Sequence, residues 1–146
     1  MKRLKNTNRY LDLSVYGINE KFDVYKLGNY DFSENLKFDD KIGVYMFTIK
    51  SGDFYCPNPN SGHYFYHTPV YCGKTSDTDT RFYDHHKGDE SKEVGANRFA
   101  FHPCNSNEEA EALEKRILSL IDFPENEVNN SNAQYKEAKI KEEVKA

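Results

Sequence analysis

The sequence predicts an α+β fold in which a small three-stranded antiparallel sheet is flanked by helices. Two segments, 42–50 and 63–73, are rich in aromatic and β-branched residues and are joined by a turn-rich stretch. A third segment of this kind follows at 98–104, and apolar residues then recur at helical spacing from 107 to 121. The 146 residues suit one domain with a modest core.

The first half of the chain is predicted to be mostly strands. Residues 10–37 carry short alternating patterns broken by Gly17 and Gly28, which predicts extra N-terminal strands or turns. "IGVYMFTIK" alternates between two faces, as a central strand does. "SGDFYCPNPNSG" is rich in turn residues and predicts a long hairpin loop. "HYFYHTPVYCG" predicts the second strand, in which Pro69 requires an edge or a bulge.

The second half is predicted to contain the helices. "TSDTDTRFYDHHKG" follows Gly73 with residues that can cap a helix and a glycine that can end it. "SNEEAEALEKRILSLI" opens with a capping box from Ser106 to Glu109 and is the clearest helix. The Ala/Lys/Glu-rich tail predicts a surface helix or a frayed end. The expected parts of the single domain 1–146 are an N-terminal extension packed on the core (1–40), the core (41–130) and the tail (133–146).

Glu114 is the anomaly of the 107–121 helix, because at about 100° per residue it falls inside the apolar arc. A carboxylate on an apolar face loses hydration and needs a partner. A buried salt bridge or a position at the rim of the arc would satisfy it. Spacing alone favours one of these structural interpretations, and a metal ligand or a general base is the alternative.

Arg81 and His85 stand four residues apart and would share one face of a helix. A guanidinium presents a rigid fork that suits phosphate, and an imidazole exchanges protons near neutral pH. The pair is also compatible with an ordinary solvated helix face, to which Asp77 and Asp84 add the opposite charge.

Composition narrows the function classes. The net charge of −4 argues against a general nucleic-acid coat protein but allows a local basic cleft. No apolar run approaches the roughly 18 residues of a membrane helix, so no membrane partner is expected. Three cysteines without a close pair predict reduced thiols and a cytoplasmic location.

The motifs "GVY" at 43–45 and "YCG" at 71–73, followed by "KTSDTDTRFYDHH" and "EALEKRIL", resemble the GIY-YIG nuclease domain over about residues 41–130. The resemblance implies a three-stranded antiparallel sheet flanked by helices. It also implies functional positions: Tyr45 and Tyr71 as the motif tyrosines, Arg81, His85 one helical turn later, Lys74, the metal-binding Glu114, and Asn129 or Asn130, with Asn132 also open.

The activity implied by the resemblance is a divalent-metal-dependent endonuclease that hydrolyses DNA phosphodiester bonds, one strand per site. Glu114 would hold one Mg²⁺ or Mn²⁺ ion, Arg81 would clamp a phosphate oxygen, and Tyr45 would take a proton from the attacking water. Tyr71 would position water or phosphate. The alternatives are a nuclease acting on RNA and a non-catalytic nucleic-acid or protein-binding module. A monomer is expected.

Overall fold

The computed structural model describes residues 2–3, 8–26, 36–37, 41–58, 62–78, 96, 98–126 and 133–145. For 2–3, 26, 36–37, 51–58 and 62–64 it describes the backbone alone. In chain order the elements are β1 (Lys2–Arg3), β2 (Arg9–Asp12), β3 (Phe22–Lys26), β4 (Leu36–Lys37), β5 (Gly43–Asn58), β6 (Gly62–Thr75), β7 (Arg98–Pro103), helix α1 (Asn107–Leu120) and β8 (Ile140–Val144).

Six of these strands form a closed barrel in the order β2-β3-β7-β5-β6-β8, with every neighbouring pair antiparallel. The predicted fold class is therefore wrong. The three predicted strands β5, β6 and β7 do lie side by side, but β3 pairs with the outer edge of β7 and β8 with that of β6. Pairing of β2 with both β3 and β8 then closes the sheet, which removes its exposed edges.

The tail is the clearest departure from the sequence prediction. Residues 140–144 form β8 instead of a surface helix, and their burial alternates, with Ile140 and Glu142 inside. The Lys and Glu content of this segment favours a helix, but pairing with β2 and β6 decides its structure. Likewise β2 and β3, expected in an extension packed on the core, are part of the barrel wall.

The β5–β6 hairpin is longer than predicted. Its ladder runs from Gly43 opposite Thr75 to Asn58 opposite Gly62, so much of the predicted loop is strand. The register shifts where Phe47 faces Tyr71 and Thr48 faces Pro69. Pro69 predicted either an edge position or a bulge, since proline cannot donate to the ladder, and the structure shows the bulge.

Both faces of the central strands are buried. One face joins the barrel core, which draws on all six strands and on α1. The opposite face carries a separate aromatic cluster on β5, β6 and β7. The buried members of that cluster are Tyr45, Phe47, Val70, Phe99 and Phe101. Because side chains alternate along a strand, Val44 and Met46 face the core while Tyr45 and Phe47 face the aromatic cluster.

Helix α1 begins as predicted. The Ser106 hydroxyl oxygen accepts a hydrogen bond from the Glu109 N–H at 3.1 Å, and Glu109 Oε2 accepts one from the Asn105 N–H at 3.1 Å. The residues that α1 buries, which match the predicted arc, are Ala110, Leu113, Ile117 and Leu118. No helix in the described ranges is long and apolar enough to cross a membrane.

Replacing Ser106 by Ala should destabilise the protein by about 1 kcal/mol, because the Glu109 N–H then loses its capping acceptor. Urea unfolding measures the change. Ser119→Ala is the control: that hydroxyl donates to the Arg116 carbonyl within the last turn and caps nothing. Equal unfolding midpoints for Ser106→Ala and the wild type would contradict the assigned cap.

Candidate active site

Four of the predicted site residues meet at one short segment of β6, residues 71–74. Tyr71 and Lys74 belong to this segment, and Tyr45 on β5 is the cross-strand partner of Gly73. Glu114 lies beside the segment on α1, where burial raises its pKa while the charge and the backbone N–H of Lys74 act in the opposite direction. The "YCG" segment of β6 thus contacts both the first motif and the helix.

The two tyrosines share the aromatic face of the sheet. Their ring centroids are 5.9 Å apart, and the Tyr45 ring stacks on Phe99 at 5.7 Å. Tyr45 is 2% exposed, whereas Tyr71 is partly exposed. The Tyr45 hydroxyl lies against Gly73, where a Cβ would be 2.6 Å from it. Glycine is therefore required at 73 by the close approach of the phenol.

Lys74 and Glu114 share the other face. The Lys74 side chain is 44% exposed, and its Nζ lies 3.6 Å from Oε2 of Glu111. Glu111 also contacts Lys115, 3.1 Å away and one turn along the helix. Burial raises the pKa of Glu114 above its ordinary value, and the Lys74 charge offsets part of that effect. Glu114 is thus a partly desolvated carboxylate with a cation beside it.

The phenols and the carboxylate lie on opposite faces of the β5–β6 pair. Tyr45 is opposite Gly73, whereas Val44, which faces the core, is opposite Lys74. Neighbouring residues of a strand point in opposite directions. The structure thus brings Tyr45 to Tyr71 and Lys74 to Glu114 but keeps these two pairs on separate faces. The predicted Arg81, His85, Asn129 and Asn130 lie outside the described residues.

Asn126 is a residue that sequence reasoning missed. Its Oδ1 accepts a hydrogen bond from the Cys72 N–H at 2.9 Å, and its Nδ2 donates to the Cys72 carbonyl at 2.7 Å. Next to it, the Glu125 N–H donates to the Val70 carbonyl at 3.0 Å. Strand β8 pairs with β6 only at residues 65–67, and Glu125 and Asn126 take over as hydrogen-bond partners at Val70 and Cys72. They thereby fix the backbone between Tyr71 and Gly73. The sequence signal was weak, an asparagine in the turn after Pro124.

The site fits a divalent cation to a limited degree. Glu114 offers one carboxylate whose ionised form is disfavoured by burial, and a cation beside it would favour that form. In the parts of the chain that the structure describes, no three His, Cys, Asp or Glu side chains gather as a metal group. One weakly held ion, completed by water and a phosphate oxygen, is therefore the arrangement that these residues allow.

The neighbouring thiol adds no reactive group. Cys72 is buried, and burial raises the pKa of its thiol, as does the nearby Glu114 charge. Only the thiolate is a good nucleophile or metal ligand, so Cys72 packs as a small apolar residue.

Comparison of the chain with known proteins gives no match. No protein-family model matches it, and neither a curated protein nor a solved structure does. The function is therefore inferred from the residues of the candidate site together with the motifs "GVY" and "YCG".

Gly73→Ala should destabilise the protein by about 1–3 kcal/mol, because the added methyl overlaps the Tyr45 ring and hydroxyl in a packed cluster. Combining it with Tyr45→Leu, which removes that ring, should make the two effects strongly non-additive in urea unfolding. Additive effects, or a Gly73→Ala variant as stable as the wild type, would contradict this contact.

Asn126→Ala should destabilise the protein by about 1–3 kcal/mol, since it leaves the Cys72 N–H and carbonyl without these partners. Amide hydrogen exchange at Cys72 should also become faster. Asn105→Ala, at an exposed position, is the matched control and should leave both readouts unchanged. Unaltered exchange at Cys72 in Asn126→Ala would show that the carboxamide does not hold this strand.

Proposed function

We propose that the chain is a metal-dependent endonuclease that hydrolyses DNA phosphodiester bonds, one strand per site, as its resemblance to GIY-YIG nucleases implies. One observation carries the proposal: the half-buried carboxylate of Glu114 lies beside Lys74, the residue that directly follows the "YCG" motif. A carboxylate and an accessible ammonium on one face can together receive a cation and a phosphate. The resemblance adds Arg81 as the phosphate clamp and Tyr45 as the group that takes a proton from water, with its phenolate favoured by Lys74 or His85.

Lys74 is suited to meet the substrate. A phosphodiester repels a nucleophile because it already carries negative charge, and the Lys74 ammonium would neutralise part of that charge. Its present partner Glu111 is exposed, so exchanging this carboxylate for a phosphate oxygen costs little. Bound Mg²⁺ or Mn²⁺ on Glu114 would further neutralise the phosphate and stabilise the leaving oxygen.

A second candidate function is a non-catalytic nucleic-acid or protein-binding module, and the burial of Tyr45 favours it. A phenol that is 2% exposed and packed against Gly73 is placed as a core residue. Under this alternative the "GVY" and "YCG" motifs stabilise the sheet, and Glu114 is a half-buried carboxylate compensated by Lys74.

We also propose a cytoplasmic location. Cys72 and Cys104 are free thiols. Burial, followed by the charges of Glu109 and Glu20, raises the pKa of Cys104 to about 11. Neither thiol is activated at neutral pH, which suits a reducing compartment.

The decisive experiment is incubation of the purified protein with Mg²⁺ or Mn²⁺ and supercoiled, linear, branched and single-stranded DNA, and RNA. We expect nicked circles as the first product, since one site cuts one strand and the protein is expected to act as a monomer. Cleavage of RNA alone would indicate the RNA nuclease. No cleavage of any substrate would favour the binding module.

Glu114→Gln should abolish nicking and leave substrate binding intact. In chelator its melting temperature should stay level or rise, because a carboxylate whose pKa is raised by folding destabilises the folded state when ionised. Glu108→Gln, on the exposed first turn of α1, is the control and should nick normally. A large fall in melting temperature with nicking retained would show that Glu114 is a structural residue.

A further inference from the structure

Three buried polar side chains form a hydrogen-bonded row in the barrel. The row lies closer to the tip of the β5–β6 hairpin than Lys74 does. Thr48, His67 and Glu142 are at most 1% exposed. The Thr48 hydroxyl lies 2.6 Å from His67 Nδ1, and His67 Nε2 lies 2.8 Å from Glu142 Oε1. These hydrogen bonds join β5, β6 and β8 through the interior.

The surroundings of His67 and Glu142 determine which of the two carries a proton. Burial lowers the pKa of His67 below its ordinary value, and the charges of Arg98 and Lys50 act in the same direction, against the attraction of Glu142. Burial acts to raise the pKa of Glu142, but the hydrogen bond from His67 and the charges of Lys50 and Arg9 lower it overall. With the imidazole neutral, the 2.8 Å contact is a hydrogen bond from Nε2–H to the carboxylate, and Nδ1 accepts from the Thr48 hydroxyl.

Glu142 is central to how β8 is held. Its Oε2 lies 3.2 Å from Arg9 Nη1 on β2 and 3.7 Å from Lys50 Nζ on β5, while Oε1 meets His67 on β6. Within β8 the buried residues are Ile140 and Glu142. One of the two buried positions of β8 is thus occupied by the Glu142 carboxylate, which needs these three partners.

We propose that β8 is a pH-sensitive closing strand, and that proton uptake by His67 releases residues 140–144 from β2 and β6 and opens the barrel. A proton on His67 would make it the third cation, with Arg9 and Lys50, around one carboxylate. Arg98 on β7 adds a further positive charge that acts on His67. On β3, the buried residue Val24 is apolar and adds no charge. Opening hydrates the imidazolium and relieves this repulsion.

The direction of the pH effect follows from linkage. Because folding lowers the pKa of His67, closure is fully stabilised above its ordinary value of 6.5 and is weakened as pH falls below that value. Glu142 also has a lowered pKa, so a second loss begins below its ordinary value of 4.5. The first window lies near physiological pH.

Amide hydrogen exchange by NMR, corrected for the intrinsic rate at each pH, tests the proposal between pH 7.5 and 5. The amides of 140–144 should lose protection by up to about tenfold per pH unit below 6.5, because one proton is taken up. The paired amides of β5 and β7 should keep their protection. His67→Gln, which cannot titrate, should remove this step. Glu143→Gln, whose carboxylate pairs with Lys141 on the surface, should leave it unchanged.

Unchanged protection of 140–144 in the wild type, or the same pH step in His67→Gln, would overturn the proposal. Simultaneous loss of protection in β5, β7 and β8 would overturn it too, since it would show global unfolding. If His67→Gln does not fold, the imidazole nitrogen shifts of the wild type decide. Release of β8 is supported if the His67 ring is neutral at pH 6.5 and its protonation at lower pH follows the same pH dependence as amide exchange at 140–144. It is contradicted if the two pH dependences differ.

Discussion

The constraint on which this structure depends is that β5 is buried on both faces. Val44 and Met46 require cover on one side, and Tyr45 and Phe47 require it on the other. The barrel core with α1 supplies the first cover, and the rings on β6 and β7 supply the second. A three-stranded sheet with open edges would expose backbone groups beside these apolar faces, whereas the closed barrel pairs them.

The same constraint divides the candidate site. With Tyr45 opposite Gly73, the phenols belong to the aromatic side, while Lys74 and Glu114 belong to the side of the helix. The charged side chains of the candidate site are therefore those of Lys74 and Glu114, on the side of the helix. The two tyrosines pack in the aromatic cluster and stabilise the sheet. Asn126 holds the backbone of β6 at Cys72, between Tyr71 and Lys74.

Local features of the sequence were sufficient to predict local structure. The cap at Ser106, the bulge at Pro69 and the partly buried position of Glu114 each depend on a few neighbouring residues, and all three are observed. Closure of the barrel depends on which distant strands pair, and no residue near "IKEEV" carries that information. For the same reason His67 and Glu142 could not be connected beforehand: their contact spans 75 positions. Asn126 was missed because its partners are backbone atoms of another strand.

Pairing of β2 with β8 also has a consequence for how the chain acquires its fold. Arg9 and Glu142 are 133 positions apart, and the Lys145 N–H returns to the Asn8 carbonyl at 2.9 Å. Contacts this distant in sequence carry a large loop-closure entropy and slow the search for the native topology. During synthesis, β2 cannot pair with β8 until residues 140–144 have left the ribosome. The β5–β6 hairpin can form early, but the barrel wall closes only after β8, the last of its six strands in chain order, has been made.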